Sequence, residues 1–477
     1  MYDVAIIGGG VVGGMIARKL SEYNLKLCII EKENDVANGA TKANSAIIHA
    51  GFDAKCGSLK AKLNVIGSEM MEKACEELDV KYKKNGALVI GFDDNDRKTI
   101  EELLERGIKN GVKDLKILEI DKVKEIEPNI SDNVKCALYA PTSAIVCPYE
   151  LTIAAIGNAM DNGADLKLNF EVASIDFNNS TYTLHSSNGE VCSAKYIINA
   201  AGIYADKIAN MVGDYSFEIN PRRGEYILMD KEEGNIISHT IFRTPSKMGK
   251  GILLSPTVDN NLLAGPTSVD IEDKENKDTT NQGFSQIIEQ ALENVNNVGF
   301  NKSITSFCGL RAVGNTGDFI INNTNNSFIN VAGIESPGLS SSPAIAIYVR
   351  DMLIDMGLNL ESKNNYNPYR KSPHFFSRLS IEEKNKIIAQ DKRFGKIVCR
   401  CETVSEGEII YALHQNPKPT DMDGIKRRTR ANMGRCQGGF SYPRIVELIS
   451  QETGIEFEAV TKSGGKSFIN IGKTKEV

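Results

Sequence analysis

The chain has 477 residues, of which 41% are hydrophobic and 25% charged, and a net charge of −6 at neutral pH. That length exceeds one hydrophobic core and implies two or three domains, and the composition is that of a globular chain rather than a disordered or fibrous one. The acidic balance tells against nucleic acid as a partner, no stretch approaches the roughly 20 consecutive apolar residues of a membrane span, and no basic segment precedes the first strand as a leader would require.

Residues Asp3 to Gly8 read as an apolar strand that runs into Gly8-Gly9-Gly10-Val11-Val12-Gly13. A helical pattern follows at Met15, Ile16 and Leu20, and a second strand, Lys26 to Ile30, ends on Glu31. Gly8 permits the tight turn, Gly10 lets main-chain N–H groups approach a pyrophosphate, Gly13 lets helix and strand pack, and Glu31 can accept from a ribose diol. Glycine-rich turns are common, but here strand, helix, second strand and acid stand in the required order, which predicts a dinucleotide site. Beyond it, Asn38 to Ser45 is a polar loop suited to wrapping a large, permanently held cofactor, or else a plain surface loop. Lys32, Thr41, Asn44 and Ser45 are the cofactor candidates in this region.

His49 follows directly. Of the five histidines, His185 lies by a turn sequence, His374 follows a linker proline and His414 is in the tail. Directly after the polar loop, where it could face a bound ring, His49 is the best acid/base candidate, able to take a hydroxyl proton near neutral pH; a histidine that only hydrogen-bonds cofactor or backbone is the alternative. Residues 81–145 hold a strand at Ala87 to Ile90, a charged helix near Asp93 to Asn110 and a turn at Glu127-Pro128-Asn129. Val172 is a further cofactor candidate. Tyr196 to Ala201 is a strand whose small terminal residues, Ala201 and Gly202, let a cofactor lie against the backbone.

Residues 216–318 contain several short period-two runs, which predict a mostly antiparallel sheet. Arg311 stands among apolar neighbours in Phe307 to Ala312, and an arginine there needs an internal carboxylate or an anionic ligand. Lys250, Arg223 and Tyr226 are further substrate-side candidates; Arg223 could pair instead with Glu225, and Tyr226 could be a half-buried strand aromatic. Phe328 to Ala332 is another strand, and Pro343 with the serines before it marks a helix start. Gly333, Gly338, Leu339 and Ser340 are assigned to cofactor binding, the open N–H groups of that helix facing partial negative charge on a bound ring.

These motifs resemble the FAD-dependent oxidoreductases of the D-amino-acid oxidase type. The similarity rests on the N-terminal fingerprint, Asn44-Ser45 with His49-Ala50-Gly51 and Gly57-Ser58-Leu59-Lys60-Ala61, Asn199-Ala200-Ala201-Gly202, and Gly333-Ile334-Glu335-Ser336-Pro337-Gly338-Leu339, and covers most of residues 1–365. It implies an α/β fold, α+β overall. A Rossmann-type FAD domain would use residues 1–80, 146–215 and 319–365, and an inserted, mostly antiparallel substrate domain residues 81–145 and 216–318. The last motif looks most like the L-2-hydroxyglutarate oxidases and the glycerol-3-phosphate dehydrogenase-like proteins. Typical glycerol-3-phosphate dehydrogenases carry Gly-Gly-Lys-x-Thr-Thr where this chain has Gly338-Leu339-Ser340-Ser341-Ser342, a departure that tells against glycerol 3-phosphate. The resemblance places Arg311 on a substrate carboxylate, His49 at the proton and flavin N5 as hydride acceptor.

Residues 366–390 read as a linker, and 391–477 as a small α-rich cysteine module. Val398 to Ser405 and Lys426 to Ser441 are similar to the bacterioferritin-associated-ferredoxin type of [2Fe–2S] domain, which uses a Cys-x-Cys pair and a later Cys-x4-Cys pair. Cys399, Cys401 and Cys436 match; the fourth position is Ser441. Clusters are normally held by four thiolates. Ser441 as a poorer ligand, a different metal such as zinc, and a vestigial packing domain are the three readings. The basic run Lys426 to Arg430 could draw an acidic electron-transfer partner, compensate cluster charge or form a solvated face. The remaining cysteines are scattered singly, as reduced thiols of a cytoplasmic protein would be, with attachment at a membrane surface left open.

The expected activity is hydride transfer to FAD from a small anionic secondary alcohol, either a 2-hydroxy acid such as 2-hydroxyglutarate or sn-glycerol 3-phosphate. The electron acceptor, quinone or redox protein, is not identified by the sequence. The rival readings are an amine or amino-acid oxidase on the same scaffold and a non-catalytic flavin-containing redox or scaffold subunit.

Overall fold

Two short apolar stretches frame the molecule. Tyr2–Ile7 (β1) and Leu27–Ile30 (β2) pair in parallel, joined through helix α1, Val11–Leu20. In this computed structural model, which describes residues 1–245, 251–325, 327–470 and 472, β1 also pairs in parallel with Val191–Asn199 (β3), Ile7 standing opposite Asn199. Phe328–Ala332 runs parallel along the outer edge of β3, Asn199 opposite Asn330. Alternate residues of β1 bury on opposite faces of the sheet. Val4 and Ile6 meet α1 and the helices Leu59–Glu77, Pro148–Asp161 and Gly338–Asp355 (α2). Ala5 and Ile7 meet Phe170, Tyr182 and Ile208. Covering on both faces is why these strands read as unbroken apolar runs.

The two insertions build one second sheet. Ile219–Met229 (β4) lies antiparallel to Ser303–Gly314 (β5) along its length, with Arg222 opposite Arg311 and Tyr226 opposite Phe307. The sheet continues through Leu262–Gly265, Leu253–Pro256, Thr240–Arg243, Ala87–Gly91, Cys136–Ala140 and Lys116–Glu119. It is antiparallel except where Thr240–Arg243 meets Ala87–Gly91. Gly309 brings this sheet against the polar loop of the first, since a Cβ there would stand 1.9 Å from the Ala43 carbonyl oxygen.

The strand expected at Tyr196 begins at Val191 and ends at Asn199. Arg311 lies inside β5, with a further strand, Ile320–Asn325, after it. Helix α2 starts at Gly338, with Pro343 inside it. The carbonyl of Leu339, left without an N–H partner by Pro343, accepts instead from the Ser342 hydroxyl at 2.8 Å. Within residues 366–390, Ser372 and His374 are buried, and Ile381–Gln390 is a helix with a Ser380/Glu383 capping box and no buried residue.

The C-terminal module packs the helices Glu406–His414, Met422–Thr429 (α3) and Tyr442–Thr453 around Ile409, Leu413, Ile425, Ile445 and Ile449, with Cys399 in the same core. The molecule is mixed α/β. Among the described residues no helix is long and apolar enough to cross a membrane.

Candidate active site

The strand ends of the first sheet, the polar loop and the face of the second sheet enclose a cavity of about 1370 Å³. That exceeds the roughly 300–1,000 Å³ typical of a small-molecule site and leaves room for a dinucleotide with a substrate beside it. Gly8, Gly10, Glu31, Lys32, Thr41, Asn44, Ser45, Val172, Ala201, Gly202, Gly338 and Leu339 all line it. Segments distant in sequence therefore meet at one surface.

The glycines at the turn are required by close approaches. Gly8 has φ +116°, and a Cβ there would stand 2.3 Å from the Ala200 carbonyl oxygen. A Cβ on Gly13 would lie 2.0 Å from the carbonyl oxygen of Gly8, so Gly13 sets how closely α1 approaches β1 and takes no part in the lining. Glu31 accepts from Gly9 N–H at 2.8 Å and from Glu33 N–H at 3.0 Å. Burial pushes its carboxyl up from the ordinary range against those two bonds. The fit to FAD rests on this bare glycine turn, the start of α1, where Gly10 has no side chain to cap the helix and Val11 N–H is met by Thr41 Oγ1 at 3.0 Å, and the acid at the end of β2. Gly333 and Ser340 stand outside the lining. The Ser340 hydroxyl, buried, accepts from His49 N–H at 2.7 Å and so positions the next segment instead.

On the substrate side, His49, Tyr226 and Arg311 line the same cavity. His49 stacks obliquely on Phe242, ring centroids 5.7 Å apart, with Nε2 3.4 Å from Ser336 Oγ. Tyr226 is stacked on Phe307 and its hydroxyl is 3.3 Å from Ser45 Oγ. Burial pushes that phenol up, and Arg311 pulls it back. Arg311 is held by neutral groups, donating to the Thr267 carbonyl at 2.7 Å and Ser268 Oγ at 3.4 Å. Among the described residues it makes no ion pair, whereas Arg223 pairs with buried Glu225 at 3.5 Å and Arg222 with Asp270 at 2.6 Å. Lys250 lies outside the described residues. Sequence reasoning missed Lys60 and Glu335, which line the cavity and join at 2.8 Å. Both stand in motifs read for the cofactor, and nothing local marks them as partners.

In the module, Cys399 Sγ lies 3.7 Å from Cys401 Sγ, which lies 3.4 Å from Cys436 Sγ. Asn432 N–H donates to Cys399 Sγ at 3.4 Å. Burial opposes ionisation of Cys436, but the N–H groups of Gly438, Phe440 and Gly439 and the Cys401 thiol hold it below the ordinary thiol value. Three thiols with amide donors fit three corners of a cluster site. The fourth corner does not offer a thiol: Ser441 is buried and its hydroxyl donates to the Asn432 side-chain oxygen. Among the described residues no trio of His, Cys, Asp or Glu is arranged to hold a single metal ion. The basic run is not a docking face. Arg427 and Arg428 are buried on Asp35, and Arg430 pairs with Asp259 at 2.6 Å and Glu402 at 2.9 Å. Guanidiniums at this depth need carboxylate partners, and the rest of the chain supplies them.

Comparison with known proteins agrees with this geometry. Residues 3–352 match the family model of the FAD dependent oxidoreductases (DAO), and residues 397–454 that of the BFD-like [2Fe-2S] binding domain. The chain is 51% identical over 477 residues to the glycerol 3-phosphate dehydrogenase of Caloramator mitchellensis, covering 100% of this chain and 99% of that one. It is 32% identical over 286 residues to the mitochondrial L-2-hydroxyglutarate dehydrogenase of Nematostella vectensis, 56% of this chain and 62% of that protein. The structure of the dithionite-reduced L-alpha-glycerophosphate oxidase of Mycoplasma pneumoniae with FAD bound matches with a TM-score of 0.73 at 30% identity, covering 77% of this chain and 98% of that one. With its glycine turn, its strand-end cleft and a family match across both sheets, the chain belongs to the FAD-dependent oxidoreductases of the D-amino-acid oxidase family and carries a BFD-like [2Fe-2S] binding domain behind that fold.

Proposed function

We propose that this enzyme oxidises sn-glycerol 3-phosphate at its secondary alcohol and passes the electrons to a separate acceptor. The observation that carries the reading is the 51% identity to a glycerol 3-phosphate dehydrogenase over the whole chain, module included. The geometry supports it. Arg311 is a half-buried cation on the cavity wall held by neutral groups, so a phosphate dianion would supply the counter-charge that the buried Arg427 and Arg428 find in Asp35. His49, fixed by Ser340 at its main chain and by Phe242 and Ser336 at its ring, takes the hydroxyl proton. Tyr226 and Ser45 steady the substrate's polar end. Bound FAD supplies the two-electron acceptor for the hydrogen that leaves the alcohol carbon.

The serines of Gly338 to Ser342 do not bear on the substrate. Ser340 serves His49, Ser341 donates to the Pro337 carbonyl at 3.1 Å and Ser342 to Leu339, so the hydroxyls are spent within the helix and its neighbour. A 2-hydroxy acid is the second reading, favoured by the similarity to an L-2-hydroxyglutarate dehydrogenase. Anaerobic mixing of the purified holoenzyme with each compound decides between them. Glycerol 3-phosphate is expected to bleach the flavin absorbance, with L-2-hydroxyglutarate and amino acids leaving it intact. Bleaching by the hydroxy acid or an amino acid alone overturns the proposal.

Cys399, Cys401 and Cys436 would hold a [2Fe–2S] cluster at three corners, with Ser441 where the fourth thiolate belongs. Iron and acid-labile sulfide in anaerobically purified protein, with visible bands shifted by Ser441→Cys, are the expected signs; protein free of both elements removes the cluster from the account.

A further inference from the structure

The loop that borders the cofactor cavity is anchored by another part of the molecule. Asp35 follows Glu31 by four residues and is 1% exposed. Arg428 meets its carboxylate with both prongs, Nη1 to Oδ2 at 2.7 Å and Nη2 to Oδ1 at 2.8 Å, and Arg427 Nη2 adds a third bond at 2.5 Å. Both arginines are buried and both lie on α3 of the C-terminal module. Arg428 is itself fixed by the carbonyls of Pro417 and Gly424. Beside this seam, Asn34 donates at 2.5 Å to Asp421, the residue that caps α3.

The same loop bears directly on the glycine turn. Ala37 N–H donates to the Gly9 carbonyl at 2.9 Å. Val11 N–H, at the start of α1, donates to Thr41 Oγ1 at 3.0 Å. Asn38 to Lys42 line the cavity between these two stitches. Among the described residues, the ion pairs of Asp35 come from the module alone. A carboxylate and two guanidiniums at this depth are stable only together, so the loop cannot lift away while the module is seated.

We propose that the C-terminal module clamps the cofactor loop through Asp35, making retention of FAD depend on module docking whether or not the thiols carry iron. The inference rests on FAD occupying the cavity. It assigns Asp35, Arg427 and Arg428 as positioning residues that act through the loop.

The test uses the full-length holoenzyme. Flavin release is followed by the rise in flavin fluorescence after dilution, with far-ultraviolet circular dichroism recorded in parallel. Asp35→Asn is expected to speed release about tenfold or more at a temperature where the dichroism is unchanged. Arg427→Met, which keeps the paired contact of Arg428, is expected to give an intermediate acceleration and serves if Asp35→Asn does not fold. Arg435→Gln breaks the module's exposed pairs with Asp230 and Glu232 in the other sheet's domain, and is expected to leave release at the wild-type rate. Equal release from wild type, Asp35→Asn and Arg427→Met overturns the clamp. So does equal acceleration by Arg435→Gln, or release that only accompanies loss of the dichroism. Wild-type protein that purifies without flavin instead overturns the cofactor reading beneath it.

Discussion

Arg311 shows what one residue's neighbours reveal and what they hide. Its apolar surroundings in sequence pointed to an anion or an internal carboxylate, but its fixing groups, the Thr267 carbonyl and Ser268, stand 44 and 43 residues away and belong to no motif. Arg311→Met should raise KM for glycerol 3-phosphate roughly 10- to 100-fold with a smaller loss in kcat, the cost of charge-assisted bonds to a bound anion; steady-state kinetics measures it. His374 follows a linker proline in sequence, yet it is buried near Asp259, Lys81 and Arg430, where burial lowers its pKa from 6.5 to about 3. A histidine kept neutral in the fold but protonated when unfolded makes stability fall as pH drops from about 6.5 towards 3, by up to about 1.4 kcal/mol per unit. His374→Phe should flatten that acid slope in urea-unfolding midpoints taken across the same window.

Among the elements, the strand–turn–helix at the N-terminus was the most legible, because each glycine answers to a short-range constraint. Gly13→Ala would place its methyl 2.0 Å from the Gly8 carbonyl, forcing α1 off β1. A loss of about 1–3 kcal/mol is expected, with a lowered flavin content, measured by thermal unfolding and by the absorbance ratio of purified protein. Helix α2 starts near Gly338 as expected, although Pro343, one of the cues to that start, lies inside it. Proline is commonest at the first helical position, so Pro343 suggested a beginning; the hydroxyl of Ser342 satisfies the carbonyl that the ring strands and lets the helix begin at Gly338. The second sheet's antiparallel character was legible from period-two runs, but the parallel pairing of Thr240–Arg243 with Ala87–Gly91 joins two separate insertions and had no local signal.

At the scale of the whole molecule, the basic run 426–430 is the clearest failure of local reading, since its counter-charges lie at Asp35, Asp259 and Glu402. Burial opposes ionisation of Asp35, but Arg428 and Arg427 outweigh it and hold the carboxyl at about 2. A carboxylate with a lowered folded pKa contributes fully above its unfolded value near 4, and that contribution is lost as pH falls from about 4 to 2. The docked module should therefore resist acid down to about pH 4 and loosen below it. Asp35→Asn should remove that step, read as the pH dependence of limited proteolysis between residues 366 and 390.

The pairing of Asp35 with Arg428 spans 393 positions. Translation proceeds from the amino end at about 5–20 residues per second, so the nucleotide-gripping turn emerges early while its distant latch is still unmade. A nascent chain that lacks the module lacks the arginine partners of Asp35, so the proposed clamp can close only after Arg428 has been made.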